Sequence, residues 1–198
     1  MTNPFQLVAG HPALDLVNML DWRFRESGPE ELLPTYSELL RFAEQSAVLS
    51  PHQARRLRQM TSDPAANKAL RTVYEIREAA AEIFYALVDD RAPSQDAIKN
   101  LNRHLRSAQA NRILHWSRSG LQPAWTDDDD PQLPLWLLTQ SAADLLTSEA
   151  THSIRACADP ECRWLFLDTS KNHSRRWCDM KICGNRMKAR RFKAQHRA

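Results

Sequence analysis

Apolar residues recur at intervals of three and four along most of the first 150 residues, which is the period of an amphipathic helix. The clearest example is segment 67–88, "NKALRTVYEIREAAAEIFYALV". Its apolar positions fall on one stripe: Leu70, Val73, Ile76, Ala80, Ile83, Phe84 and Leu87. Asp63 as the N-cap and Pro64 at the first helical position predict where this helix begins. We expect it to form the central pillar of the core.

Further segments show the same period or carry helix-capping residues. A capping box of Thr35 and Glu38 opens one helix, and Ser50, Pro51 and Gln53 open another. Three more helices are predicted on apolar spacing: segment 11–24 with Leu14, Val17 and Phe24 on one side, segment 94–108 with Ile98, Leu101 and Leu105, and segment 133–146.

One segment alternates instead. In 112–125 Ile113, His115 and Ser117 alternate with Leu114 and Trp116 before a Ser-Gly turn, which predicts a short β-hairpin. Small polar residues at 147–153 then predict a boundary between domains 1–150 and 151–198. The expected fold is therefore mainly α: a helical N-terminal domain with a short hairpin, followed by a small treble-clef or ribbon-like module.

All four cysteines lie in that second domain, in the pattern C-x4-C-x15-C-x4-C. Each pair is close enough for a turn to aim both sulfurs at one ion, so we predict a structural zinc, one per chain, bound by Cys157, Cys162, Cys178 and Cys183. Four protein ligands leave no open position on the metal, and we expect no enzyme activity there. "RWLFLD" between the pairs reads as a strand. His152, His173 and His196 could replace a cysteine, but we assign them to the surface.

The charge is divided unevenly along the chain. Residues 151–198 hold 12 Lys and Arg against 4 Asp and Glu, a net of +8, and the first 150 residues carry a net of −5. A basic tail on an acidic body indicates a polyanionic partner, nucleic acid before membrane. A basic stripe on a helix anchored by zinc favours DNA, with RNA as the near alternative. Four glycines in the whole chain leave no phosphate-cradling loop. No leader and no membrane-length apolar run is evident, so we expect a cytoplasmic protein that does not enter the membrane.

The basic residues after the last cysteine are predicted to form a helix that begins near Cys183. At about 100° per residue, one stripe beside the Cys183 face holds Arg186, Arg190, Lys193 and Arg197. We assign the nucleic-acid contacts to this stripe and its neighbours: Arg175, Arg176, Arg186, Lys188, Arg190, Arg191, Lys193 and Arg197. Phe192 falls on the far side of the helix, where it could pack on the first domain or meet a base, and we expect the packing.

Three other functions stay open. An RNA-binding protein could stack bases on Trp164 and Trp177. A zinc-thiolate redox sensor would need exposed cysteines. An enzyme could use the acidic run Asp127 to Asp130, or His11 with Asp15, but we do not expect this protein to be an enzyme, because acidic runs are usually solvated or capping and His11 and Asp15 could simply pair with each other. A small-molecule effector could bind the N-terminal domain.

Two motifs resemble known families. "CADPECRWLFLDTSKNHSRRWCDMKICGNRMKARRF" is similar to the CGNR zinc finger, whose name repeats residues 183–186, and "GHPALDLVN" at 10–18 resembles the ABATE domain that accompanies it. The resemblance implies a stress-related transcription regulator with a mostly helical N-terminal domain. It names no DNA target and no oligomeric state.

Overall fold

The computed structural model describes residues 4–196 and is mainly α-helical, with short antiparallel hairpins, as predicted. Its seven α-helices in this range are α1 (Pro12–Asn18), α2 (Tyr36–Gln45), α3 (Pro51–Met60), α4 (Asp63–Val88), α5 (Gln95–Ala110), α6 (Leu133–Leu146) and α7 (Asn185–Gln195). None of these helices is long and apolar enough to cross a bilayer.

Capping residues set most helix starts. The Ser50 hydroxyl and the Gln53 side chain form a full capping box at α3, and the Thr35 hydroxyl accepts a bond from the Glu38 amide at α2. The predicted cap of α4 is one residue too late. Asp63 is already helical, because the backbone changes from extended to helical at Ser62, which occupies the N-cap position without a side-chain bond.

The first predicted helix is too long. In the structure helix α1 ends at Asn18. The chain then continues into strand β1 (Leu20–Asp21), which pairs with β2 (Glu30–Glu31). The chain then passes through Trp22, whose positive φ of 51° is incompatible with a continuing helix. Phe24 is therefore 43% exposed instead of sharing the buried side of Leu14 and Val17.

The long helix α4 is the centre of the core, and it contacts α1, α2, α5 and α6. Its predicted stripe is buried in the middle, at Val73, Ile76, Ala80 and Phe84, whereas Leu87 at the end is 40% exposed. The first half of α4 packs with α2, α3 and the start of α6. The second half packs with α1 and the end of α6, and this second cluster also contains Ile154 and Leu165 from the C-terminal segment.

Two more antiparallel hairpins complete the fold. The predicted hairpin joins β3 (Arg112–Ser117) and β4 (Gly120–Trp125). The other joins β5 (Ile154–Ala156) and β6 (Leu165–Leu167), and a 3-10 turn at Glu149–Ser153 leads into it from α6. Since β5 and β6 share a core cluster with α1 and α4, the cysteine-bearing segment lies directly on the helical body. The boundary near residue 150 stays a prediction.

Candidate metal centre

The four cysteines meet at one point. All four Sγ atoms lie within 4.8 Å of one another, with 3.7 Å between Cys162 and Cys178 and 3.5 Å between Cys178 and Cys183. A zinc ion with four sulfurs at about 2.3 Å in tetrahedral geometry separates those sulfurs by about 3.8 Å. The cluster therefore has the size and donor set of a structural zinc site, and the predicted single structural zinc per chain is confirmed. The four cysteines predicted as its ligands are the residues that the structure brings together.

The first cysteine pair lies in a tight turn between β5 and β6. The Cys157 amide donates to the Trp164 carbonyl at 2.8 Å, which closes the turn across its neck. Within the turn the Asp159 carbonyl accepts bonds from the amides of Cys162 and Arg163. The buried Asp159 carboxylate also accepts a bond from the Glu161 amide, so both the backbone and the side chain of Asp159 hold this turn.

The second pair lies where the chain enters the last helix. The Asp179 carboxylate accepts bonds from the amides of Lys181 and Ile182 and caps a π-helical turn, Met180–Gly184. Cys183 lies inside this turn, and α7 follows at once. The expectation that Cys183 precedes a helix is thus right, with an unpredicted π-turn between them.

The thiols are well shielded. Their residues are 2–4% exposed: Cys157, Cys162, Cys178 and Cys183. Hydrogen bonds among the thiols lower the pKa of Cys157 and raise the pKa of Cys162 and Cys178. A redox sensor needs accessible sulfur, and this burial weighs against that interpretation.

Arg186 points at the metal centre. Its Nε donates to Asp159 Oδ2 at 2.8 Å, a terminal nitrogen lies 2.9 Å from Cys183 Sγ, and the guanidinium lies over the Trp22 ring at 4.4 Å. Burial acts to lower the pKa of Arg186, but the charges of Cys183 and Asp159 raise it above its usual value. Arg186, expected on a nucleic-acid face, is thus engaged in balancing negative charge at the cysteines.

Arg175 is also engaged inside the protein. Its side chain donates to the backbone carbonyls of Val8, Trp177 and Cys178, and its guanidinium lies over the Phe166 ring at 4.2 Å. These bonds fix the loop that carries Cys178 against the N-terminal segment. Arg176, the next residue, is exposed and lies beside Trp177.

The remaining basic residues of α7 differ in their surroundings. Arg190 is 44% exposed and pairs with Glu161 at 3.1 Å and with Asp159 at 3.7 Å. Lys188, Arg191 and Lys193 are exposed and form no ion pair with residues 4–196. Arg197 lies outside the described residues.

The aromatic residues near the site do not follow the sequence expectations. Phe192 is 61% exposed and stacks on His196, so the expected packing on the first domain is wrong. Trp164 is 6% exposed and leaves no face for a base. Trp177 is half-buried and lines an open concavity of about 750 Å³ together with Arg176 and Lys181.

Sequence reasoning missed the residues that attach the zinc module to the body. The buried Asn18 amide donates to the Leu165 carbonyl and accepts from the Leu165 amide, both at 2.9 Å, so it pairs with β6 as a neighbouring strand would. Trp164 Nε1 donates to Asp21 at 2.8 Å. The sequence signal for this attachment was the presence of Asn18 and Asp21 at the end of an apolar helical segment.

Asp15 reinforces this attachment. It is 4% exposed and accepts a bond from the Ala9 amide at 3.1 Å, while the Ala9 carbonyl accepts one from the Leu167 amide at 2.8 Å. Burial raises the pKa of Asp15 to about 6, against the lowering effect of the bonds from Ala9 and Val8. His11 caps α1 by accepting from the Ala13 amide, and burial lowers its pKa.

The acidic run is placed away from the cysteines. Asp129 pairs with Arg56, and the carboxylates of Asp127 and Asp130 accept backbone bonds two residues ahead. Within residues 4–196, the four cysteines form the metal-sized group of His, Cys, Asp or Glu, and the run takes no part in it.

Models of two protein families match the two parts of the chain. A model of the ABATE family, described as "Putative stress-induced transcription regulator", matches residues 10–149. A model of the CGNR zinc finger matches residues 153–196. No curated protein matches the chain.

Proposed function

The chain belongs to the ABATE family and ends in a CGNR zinc finger, and from this premise we propose that it is a transcription regulator whose zinc module binds duplex DNA. The observation that carries the proposal is a group of exposed cations on α7. Lys188, Arg191 and Lys193 are exposed and have no acidic partner among residues 4–196. The helix that bears them is anchored at its start by the cysteine cluster.

The two sides of α7 support different roles. Arg186 and Arg190 turn toward Asp159 and Glu161, so their charges are already balanced within the protein. The opposite side presents Lys188 and Arg191, three residues apart, and Asn185 precedes them in the first turn. We assign phosphate contacts to this outward side, and we reassign Arg186 and Arg175 from DNA contact to support of the metal centre.

The surrounding charges favour the same orientation. Arg176 and Lys181 are exposed beside the cysteine loop and extend the basic surface past the start of α7. The first 150 residues carry a net charge of −5, so a DNA phosphate backbone is repelled from the helical body and attracted to the module. Arginine and asparagine side chains also match the hydrogen-bonding edges of guanine and adenine in the major groove.

We assign no catalysis to the site, since a zinc ion with four cysteine ligands has no free position for substrate. Zinc would hold the turn between β5 and β6 to the start of α7. The chain's own basic residues would bind the DNA. A regulator that binds DNA must be in the same compartment as the DNA. Reduced cysteines and the cytoplasmic location expected from the sequence are consistent with that compartment.

The test is charge reversal on the outward side of α7. The double variant Lys188→Glu and Arg191→Glu should weaken binding to a duplex DNA pool at least about tenfold and reduce the log-log salt slope by about 1.8, since each lost phosphate contact removes about 0.9. Zinc content should be unchanged. Fluorescence anisotropy at several salt concentrations measures both quantities.

A matched control is available on α3. Arg55 and Arg58 have the same three-residue spacing, are exposed and form no ion pair with residues 4–196, so Arg55→Glu with Arg58→Glu changes the net charge equally. If this control weakens binding as much as the α7 variant, α7 is not the binding surface. If single-stranded RNA outcompetes every duplex, the protein is an RNA-binding protein instead.

A further inference from the structure

We infer that the β3–β4 hairpin is an arm through which two copies of this chain associate. The observation is an apolar face on the hairpin that the rest of residues 4–196 leave open. Opposed residues of an antiparallel pair share one face, and the register sets Trp116 opposite Leu121 and Leu114 opposite Pro123. We call these four residues the arm face.

The arm face is the most exposed apolar group in the described chain. Leu114 is 70% exposed, Trp116 73% and Leu121 63%, and Pro123 is exposed as well. Only at its base is the same face covered, where Trp125 stacks on Trp136 of α6 with ring centroids 5.8 Å apart. Contiguous exposed apolar side chains of this kind mark association surfaces, and a two-stranded hairpin alone is marginally stable in water.

The charges at the two ends of the arm indicate what covers it. Arg118 lies at the tip of the hairpin, exposed and without an ion pair in residues 4–196. Asp127 and Asp128 lie just beyond the base, also exposed and without a basic partner in that range. The tip of the arm is therefore positive. The base is negative on balance, because Arg112, whose guanidinium lies over the Trp125 ring at the base, offsets one of the two carboxylates.

A second copy satisfies both features at once. Each six-residue strand extends about 20 Å. When two arms lie face to face and antiparallel about a two-fold axis, the tip of each lies at the base of the other. Arg118 of each copy then meets Asp127 and Asp128 of the other, and Trp116 packs against the opposing arm face. Such an isologous contact closes at two copies.

The experiment measures association of the full zinc-loaded chain by sedimentation velocity over a range of protein concentrations. The parent should be a dimer. The variant Trp116→Ser with Leu121→Ser should raise the dimer dissociation constant at least about tenfold, as expected for the centre of an interface. Ile113→Ser, on the opposite face of the same strand and 42% exposed, is the matched control and should leave the dissociation constant unchanged. Circular dichroism and zinc content check that each variant is folded.

Exchanging the charges at the two ends of the arm tests whether the partner is a second copy of this chain. Arg118→Asp alone, or Asp127→Lys with Asp128→Lys, should raise the dissociation constant about fivefold by placing like charges together. All three changes in one chain should return it to within about twofold of the parent, since a second copy carries both ends. A parent that is monomeric at every concentration overturns the inference. So does a dimer that the arm-face variant leaves intact, or a triple variant as weak as the single reversals.

Discussion

The hairpins β3–β4 and β5–β6 use the same local structure in opposite environments. The longer one has six residues in each strand and lies largely in solvent, whereas the shorter one has three and is buried on both sides. Leu165 and Phe166 in the short hairpin are fully buried, with Leu165 on the helical body and Phe166 against the cysteines. Strand pairing alone would favour the longer hairpin, so the short one owes its order to what surrounds it.

Two kinds of contact surround the short hairpin. The cysteines hold its turn, and Asn18 pairs with its second strand from the side. The long hairpin has neither, and beyond Trp125 its arm face is open. The difference teaches that the zinc module is stabilised jointly by metal and by the N-terminal helix.

The largest expected effect comes from removing the metal. Cys178→Ser should reduce zinc from one equivalent per chain to near zero and unfold the module around β5–β6, since structural zinc supplies about 10–16 kcal/mol of apparent binding free energy. The β3–β4 hairpin should stay intact. Metal analysis with amide hydrogen exchange measures both. His152→Ser, at an exposed position nearby, is the control, and loss of zinc there would contradict the cysteine-only site.

Truncating one aromatic residue in each hairpin tests the comparison directly. Phe166→Ala should lower the free energy of unfolding by about 3–5 kcal/mol, because the side chain is fully buried beside the cysteines. Trp116→Ala should change it by less than about 0.5 kcal/mol at concentrations where the chain is monomeric, because the ring is 73% exposed. Urea denaturation gives both values. Equal losses of unfolding free energy in the two variants would mean that Phe166 is no better buried than Trp116.

Removing the Asn18 amide isolates the N-terminal contribution. Asn18→Ala leaves the Leu165 amide and carbonyl buried without partners, which should cost about 2–4 kcal/mol. Exchange of the Leu165 amide should accelerate while zinc stays bound. Asn100→Ala, at an exposed position on α5, should be close to neutral. A neutral Asn18→Ala would show that the metal alone orders the hairpin.

Asp15 should give a smaller, pH-dependent effect. Its pKa is raised from 3.8 to about 6 in the folded chain, so the folded state binds this proton more tightly than the unfolded state does. The resulting stability is complete below about pH 3.8 and is lost as the pH rises through about 6. Relative to Asp15→Asn, the parent should therefore lose about 2–3 kcal/mol between pH 4 and pH 7. Denaturation across this range measures it.

Local signals accounted for much of this structure. Capping residues located α2 and α3, alternation and a Ser-Gly turn located β3–β4, and cysteine spacing located the metal site. Each of these depends on residues close in sequence or on a fixed metal geometry. The alternation could not show that the arm face stays uncovered, because either face of a hairpin can be buried.

Long-range contacts were beyond the same reasoning. Helical geometry set Arg186 beside the Cys183 face, but the buried Asp159 that it meets is brought there by the turn at the first cysteine pair. The end of α1 was mislocated because Asn18 is fixed by Leu165, 147 residues away. Neither partner lies within the window in which periodicity is read.

The order of biosynthesis also limits when Asn18 can pair with Leu165. Translation produces Asn18 147 residues before Leu165, so the amide of Asn18 has no strand to pair with until β6 has been made. The nascent helical body must keep that polar group hydrated, and α1 can dock fully only once β6 has emerged. Closure of such a distant contact has a high entropy cost, so we expect it to be a late folding event. We therefore expect zinc, by ordering β6, to promote the docking of α1.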